Sequence, residues 1–381
     1  MLEKGLGRRS SILFFIVVVL LVGSATVAHA AVRQPAVHAK AWVLVDLRSG
    51  RYLAGRDQNL RLPMASTTKI MDALVALRAG HLNRKVTVSR RAAAYAKAPY
   101  SNAGLAAGER LTERELLEAA LIPSADDAAF ALAQALGGGS ARRFVDEMNV
   151  EAGRLGLRET HFENPIGLDQ KGHYTSARDL AKMTRVAWRY PLFRRIVGTA
   201  RTTLRVGGRE IPLVNTNELL FDYPGAEGVK TGTTPKAGEC LVAAARRGDE
   251  SYLVVLLDDD ERFTDAVRLL DYAFARYDRR VLVRAGSSYA SVKVPYRRGE
   301  KVKLFAGHDV SYTVDESDRI VRRIHVRKIL PNAAHRGEKL GEIAVEVDGR
   351  TVGSSPLVAG RGYAAAHWWQ KLWYTVQGIF G

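Results

Sequence analysis

Cysteine is almost absent from this 381-residue chain: Cys240 is the only one. No intramolecular disulfide can hold the fold. Cys240 stands in the apolar run Cys240–Ala245, where a buried packing thiol is expected rather than a nucleophile. Low-complexity tracts and internal repeats are lacking too, so the chain reads as an ordinary globular protein. There is no H-E-x-x-H, and His161 and His173 stand too far apart in sequence to argue a ligand pair, so neither a metal nor a cofactor is expected. Acidic residues are scarce relative to basic ones, 40 against 57, for a formal charge of +17. That balance favours polyanionic surroundings without choosing among them. Long apolar runs are also missing; Ile12–Val22 is short for a membrane-spanning helix.

That short run has a different meaning in context. Lys4, Arg8 and Arg9 precede it and Ala28-His29-Ala30 follows it. A basic segment, an apolar segment and an A-x-A site are the parts of a secretory signal peptide. Residues 1–30 are therefore expected to be removed, placing the rest outside the cytoplasmic membrane of a bacterium; an uncleaved anchor is the alternative. Export argues against nucleic acid as the partner of so basic a chain. Anionic lipid headgroups, teichoic acids or peptidoglycan carboxylates fit that address better.

Along the chain, Ala41–Asp46 and Arg51–Ala54 flank a Leu47-Arg48-Ser49-Gly50 turn and read as a hairpin. Ile70, Ala73, Leu74 and Leu77 recur at helical spacing, with Gly80 as the stop. Thr112-Glu113-Arg114-Glu115 is a capping-box sequence, and a further helix is expected from Asp127 to Leu136. Ser140 caps the next, and a helical segment follows over Asp179–Tyr190. Gly228–Thr231, Glu239–Arg246 and Ser251–Leu257 read as strands, and Arg262–Tyr277 as an amphipathic helix. Residues 35–278 thus read as a sheet made from both ends with an all-helical insertion. Beyond Val281, five short alternating runs (Tyr289–Val294, Lys301–Phe305, Asp309–Val314, Val321–Lys328 and Gly341–Val347) read as a small all-β domain. Trp369, Leu372, Trp373, Val376 and Phe380 then form a stripe at helical spacing over Tyr363–Phe380. Tryptophans on such a helix point to a membrane interface, the plainer alternative being packing on the β domain.

Two motifs carry chemistry. Ser66-Thr67-Thr68-Lys69 is the single S-x-x-K, and 161 residues beyond Lys69 stands the single K-T-G, Lys230-Thr231-Gly232. On a helix, serine and lysine three apart share one face. Serine needs a neighbouring base, and a lysine held against apolar surface gives up its own proton more readily and can take the serine's. S-x-x-K, a serine-containing middle motif and K-T-G mark penicillin-binding proteins and class A β-lactamases.

Ala65–Leu77, Phe144–Leu157, Thr160–Leu168, Gly172–Leu180, Val214–Phe221 and Gly228–Ala245 together resemble the D-alanyl-D-alanine carboxypeptidases, the low-molecular-mass penicillin-binding proteins of serine peptidase family S11. The resemblance implies an α/β fold class, a β-lactamase/transpeptidase-like sheet with a helical lobe, then a small all-β C-terminal domain. It divides the chain into a signal peptide (1–30), a catalytic domain (31–278), a β-rich domain (281–362) and a membrane-associating amphipathic helix (363–381). It implies that Ser66 attacks the penultimate D-alanine of a peptidoglycan stem peptide, that Lys69 takes its proton and that Ser124 relays one to the leaving amine. Lys230 and Thr231 would hold the terminal carboxylate, and Gly232 would let the strand approach. The N–H groups of Ser66 and Thr233 would form the oxyanion hole, and β-lactams would acylate Ser66.

The middle motif departs from the family pattern. Ser-x-Asn is usual there, and this chain has Ser124-Ala125-Asp126. An ionised Asp126 only accepts hydrogen bonds, where asparagine also donates. It could pair with Lys69 and weaken it as a base, alter substrate preference, or merely cap the helix after it. A catalytically weak wall scaffold is the alternative from another class. A β-lactamase is disfavoured by the long C-terminal β domain and the lack of an E-x-x-x-N after the middle motif.

Overall fold

The computed structural model describes residues 33–297, 299–327 and 330–373. The expected signal peptide and the last part of the expected terminal helix, 374–381, lie outside them. The chain begins with the foreseen hairpin, β1 (Ala41–Asp46) and β2 (Tyr52–Arg56). Asp46 closes its turn by accepting from the N–H groups of Arg48 and Ser49 at 2.7 and 2.9 Å, a side-chain turn typical of aspartate. A 3-10 turn over Ala65–Thr68 leads into α1 (Lys69–Ala79). Ser66 therefore sits on the tighter turn before the helix, not on the α-helix itself. Met71 and Ala76 are buried as well as the expected stripe, so α1 is a central helix enclosed on nearly all sides. Gly80 ends it at φ 76°, a left-handed cap that suits glycine.

The insertion starts with β3 (Lys85–Thr87), α2 (Arg90–Ala93) and β4 (Arg110–Thr112), with β3 paired to β4. The capping box opens α3 (Glu113–Leu121): Thr112 Oγ1 accepts from the Glu115 N–H at 3.1 Å, and the Glu115 carboxylate accepts from the Thr112 N–H at 2.6 Å. Such a cap stabilises by about 1 kcal/mol. Then come α4 (Asp126–Leu136), α5 (Ala141–Leu155), α6 (Ala177–Ala187) and α7 (Pro191–Val197). A second hairpin, β5 (Arg201–Val206) and β6 (Arg209–Val214), precedes the short α8 (Leu219–Asp222). The insertion is thus not all-helical. In β5 and β6, Leu204, Val206 and Leu213 turn inward among exposed threonine and arginine, around a Gly207-Gly208 turn. That is a period-two strand signal with its usual turn residues.

The return to the sheet runs through β7 (Ala226–Thr234), β8 (Gly238–Arg247), β9 (Glu250–Leu257) and α9 (Arg262–Arg276). The antiparallel order is β2-β1-β9-β8-β7, so strands from both ends of this region interleave. Val43, Val45, Val242, Ala244, Leu253 and Val255 bury one face in the core that holds α1 and α6. Trp42, Leu44, Leu241, Ala243, Tyr252 and Val254 bury the other against α9. Alternate residues therefore go to different cores and the strands read as continuous apolar runs. β7 is one of its two edge strands.

β10 (Asp278–Val283), β11 (Ser288–Lys293), β12 (Lys301–Ala306), β13 (Val310–Val314), β14 (Ile320–Val326), β15 (Lys339–Val347) and β16 (Arg350–Ala359) follow. β10 pairs with β13, and the rest form a sheet ordered β11-β12-β16-β15-β14 around a third apolar core. β10 and β16 were not foreseen; Gly353 and Pro356 interrupt the strand signal of β16. A polar junction ties β13 and the turn after it to the β1–β2 hairpin. Arg51 donates to both oxygens of Asp318 at 2.5 and 2.6 Å and to the Thr313 carbonyl at 2.9 Å, and the Thr313 hydroxyl donates to Asp46. The expected terminal helix does not begin at Tyr363, which is buried and bridged to Ala334; Trp368–Trp373 is helical, and Trp368, Trp369, Leu372 and Trp373 are exposed rather than packed on the β sheet.

Candidate active site

Three separate pieces of chain meet beside the edge strand β7. The first is the 3-10 turn. Thr67 Oγ1 donates to the Met64 carbonyl at 2.6 Å and Thr68 Oγ1 to the Ala65 carbonyl at 2.7 Å, so both threonines lock the turn that presents Ser66. Ala65 adopts φ 46°, a left-handed conformation that costs a non-glycine residue about 1 kcal/mol or more. Ser66 is half-buried, while Lys69, at the start of α1, is fully buried.

The Lys69 ammonium has three acceptors: Ser66 Oγ at 2.8 Å, Asp126 Oδ1 at 2.6 Å and the Ile166 carbonyl at 3.1 Å. Asp126 comes from the second piece, the turn between α3 and α4. It does not cap the helix: Ala125 is the N-cap residue, and Asp126 is the first helical residue with its carboxylate on Lys69. Ser124 makes the turn at φ 66° and is nearly buried. Among the described residues, no hydrogen bond joins its hydroxyl to Ser66 or Lys69. The loop before it is pinned by the Asp126 N–H to the Ser101 carbonyl at 2.8 Å and by Asp127, which accepts from the N–H groups of Ala103 and Leu105.

The third piece is β7 itself. Gly232 lies so close to the turn that a Cβ there would meet Ser66 N at 2.8 Å and Ala65 Cβ at 2.9 Å. Lys230 is buried with its Nζ donating to the Thr231 carbonyl at 2.9 Å. Burial, with the Lys69 charge nearby as a smaller cause, pushes its ammonium well below the usual lysine range. Thr231 Oγ1 meets Thr216 Oγ1 at 2.5 Å. Thr233 is exposed and its Oγ1 accepts from Arg262 at 2.8 Å. Lys69 and Lys230 are thus buried near one another with the Asp126 carboxylate on Lys69, and Arg262, 3.4 Å from Glu239, donates to Thr233 and to the Gly232 carbonyl, so basic side chains gather along the K-T-G strand where an anionic ligand would lie.

Known proteins carry the same plan. The profile of the D-alanyl-D-alanine carboxypeptidase family, peptidase S11, matches residues 28–261. The chain belongs to this family of serine peptidases. The profile of the penicillin-binding protein 5 C-terminal domain matches residues 277–364. The chain is 33% identical over 333 residues to the D-alanyl-D-alanine carboxypeptidase DacF of Bacillus subtilis, covering 84% of this chain and 85% of that one. It is 29% identical over 392 residues to DacC of Escherichia coli, covering 98% and 94%. Among solved structures, penicillin binding protein 5 from Haemophilus influenzae superposes with a TM-score of 0.68 at 28% identity, over 87% of this chain and 99% of that one.

In this carboxypeptidase-family site several participants had no sequence signal. Ile166 acts through its carbonyl, which any residue supplies. Thr216 lies in the Val214–Phe221 segment but outside the three motifs, and Arg262 opens α9 far along the chain. Asp72 is the most unusual. It is one helical turn beyond Lys69, fully buried, and neither carboxylate oxygen has a hydrogen-bond partner. Burial, opposed in part by Lys69, holds its carboxyl well above the usual aspartate range. Asp169, read from the sequence as a loop residue, accepts from Thr234 Oγ1 at 2.7 Å and the Lys236 N–H at 3.0 Å, fastening the end of β7.

The histidines take structural places. The Glu163 N–H donates to His173 Nδ1 at 3.0 Å, so Nε2 carries the proton and faces Thr68 Oγ1 at 2.9 Å. Burial lowers His173 to about 4, keeping it neutral behind the Ser66 turn. Cys240 is buried and its thiol is pushed up to about 12 by burial, as a packing residue should be. Among the described residues, His38, Glu261 and Asp265 bring three ligand atoms within 4.8 Å of one another. Arg268 already sits 2.8 Å from Asp265 and 3.5 Å from Glu261, so those carboxylates have a cationic partner.

Proposed function

We propose that this chain is an exported serine-type D-Ala-D-Ala carboxypeptidase that trims peptidoglycan stem peptides. The family acts on such peptides and binds β-lactams. The observation that carries the residue assignment is the 2.8 Å contact from Lys69 Nζ to Ser66 Oγ beside Gly232 of the K-T-G strand.

In the proposed reaction, Ser66 Oγ bonds to the carbonyl carbon of the penultimate D-alanine as its proton passes to the Lys69 amine. The ammonium form has three acceptors, so one proton must leave before Lys69 acts as base. The N–H groups of Ser66 and Thr233 stabilise the tetrahedral oxyanion. Its collapse breaks the peptide bond, and the terminal D-alanine departs with a proton delivered from Lys69 through the Ser124 hydroxyl. Water then attacks the ester, gives its proton to Lys69 and regenerates Ser66. Lys230 and Thr231 hold the terminal carboxylate, Thr216 orients the Thr231 hydroxyl, and Asp126 orients Lys69. A β-lactam presents the same carboxylate and acyl carbon and acylates Ser66.

The test is release of free D-alanine from a D-Ala-D-Ala stem peptide by the purified protein and its Ser66→Ala variant. Release that vanishes in the variant is expected; equal release from both would sink the assignment of Ser66. One observation favours a second reading, a catalytically weak penicillin-binding scaffold: the 2.6 Å Lys69–Asp126 ion pair ties up the base. Penicillin labelling without D-alanine release would favour it. Rapid turnover of penicillin would instead indicate a β-lactamase.

We further propose the division into signal peptide 1–30, catalytic domain 31–278, β domain 281–362 and a membrane-associating C-terminal segment 363–381 whose described helical part is Trp368–Trp373. Among the described residues no helix is long and apolar enough to cross a membrane. The exposed Trp368, Trp369, Leu372 and Trp373 support an interfacial role. Deleting residues 365–381 should release the protein from membranes with activity retained. Unchanged sedimentation with membranes, once signal cleavage is established, would refute it.

A further inference from the structure

A cavity of about 280 Å³ borders the reactive cluster on the side of the helical lobe, between α2, α4, α5 and the loop from Glu163 to Gln170. Ile166 connects the two: its side chain lines the cavity while its carbonyl accepts from Lys69. Phe130, Val145 and Ile166 give the cavity a buried apolar lining, and Tyr95 packs on Phe130 with ring centroids 4.9 Å apart. Two arginines also line it. Arg142 lies 3.3 Å from Asp146 and 3.6 Å from Glu163, so the acidic side chain of the cavity is already matched, and His161 is a further 3.5 Å neighbour of Glu163. Arg91 stands over the Phe130 ring at 5.2 Å and has no carboxylate within 4 Å among the described residues. The cavity thus combines an apolar wall with one unneutralised guanidinium.

The direction of the substrate follows from β7. If the terminal carboxylate lies at Lys230 and Thr231, a peptide running antiparallel to this edge strand sends its upstream residues toward Thr234. Three residues of strand carry it about 10 Å. There the loop that lines the cavity meets β7, through Asp169 to Thr234 and Lys236. We infer that the cavity receives the side chain of the residue preceding D-alanyl-D-alanine, and that Arg91 selects one with an apolar stem ending in a carboxylate. The inference rests on the Ser66 carboxypeptidase reading and adds its acyl-side specificity.

The test uses the full protein and three peptides that differ only at that residue. Its unbranched side chain ends in a carboxylate, a carboxamide or an amine. D-Alanine release should favour the carboxylate peptide by about tenfold or more in kcat/KM, and Arg91→Gln should erase the preference. Penicillin labelling run alongside reports that each variant is folded with a reactive Ser66. Equal rates for the three peptides, or a carboxylate preference that survives Arg91→Gln, would overturn the inference and leave the carboxypeptidase reading standing. Preference for the amine would overturn it too and transfer the selecting role to Glu163. Absence of Ser66-dependent release from all three peptides would instead bring down the parent reading, and this one with it.

Discussion

Replacing Asp72 by asparagine should make the protein more stable, and more so as the pH rises. Asp72 is fully buried, with neither oxygen hydrogen-bonded. Its carboxyl is held well above the ordinary value of 3.8, chiefly by burial, with Lys69 opposing and Asp126 reinforcing the shift. In the unfolded chain the group ionises near that ordinary value. Above it the folded state binds more protons than the unfolded state, so stability falls as pH rises toward the folded value. Asparagine keeps the shape and cannot ionise. A buried polar group without a partner costs about 1–3 kcal/mol, and the charged form costs more. The Asp72→Asn variant keeps the first penalty and removes the second, so a gain of about 1–3 kcal/mol is expected at pH 8. It should shrink toward zero near pH 4. For a protein of this size, 1 kcal/mol moves the midpoint by about 2–4 °C or less. Thermal and urea unfolding of both proteins at pH 5 and pH 8 measures the difference. A destabilisation at pH 8, or the same difference at both pH values, would refute the reasoning. It would mean that Asp72 is an ionised partner of Lys69 and not a neutral acid.

Three further outcomes are expected. Gly232→Ala places a methyl 2.8 Å from Ser66 N, and displacing the turn should cut penicillin acylation by about a hundredfold while circular dichroism stays unchanged; retained acylation would show that the turn yields freely. Asp126→Asn should preserve penicillin acylation or raise it by up to about tenfold, because the ammonium loses its charged partner; a tenfold fall would give the carboxylate an active part. Arg51→Ala leaves Asp318, whose side chain is 3% exposed, without its guanidinium. A loss of about 3 kcal/mol, seen as earlier melting of the junction between β13 and the β1–β2 hairpin, is expected, and an unaltered melt would refute it.

The local structure was largely legible. The β1–β2 turn, the Thr112 capping box and the buried α1 stripe each follow from interactions within a few residues, which the sequence displays directly. The β5–β6 hairpin was also written locally, in Leu204, Val206 and Leu213 alternating with polar residues around Gly207-Gly208, although it stands among helices. β16 was obscured because Gly353 and Pro356 weaken a strand that tertiary pairing on both sides sustains.

The sequence alone determined which chemistry the chain carries: S-x-x-K and K-T-G supply a serine, a neighbouring lysine and a glycine where backbones must meet. The tertiary structure decided how those groups are wired. It chose, among the roles the sequence left open for Asp126, the partner of Lys69 over the helix cap, because the α3–α4 turn is held against α1 by contacts remote in sequence. It brought in the Ile166 carbonyl and Thr216, and sealed Asp72 away from water. Burial and long-range hydrogen bonds are sums over many distant residues, so no motif of a few letters can encode them.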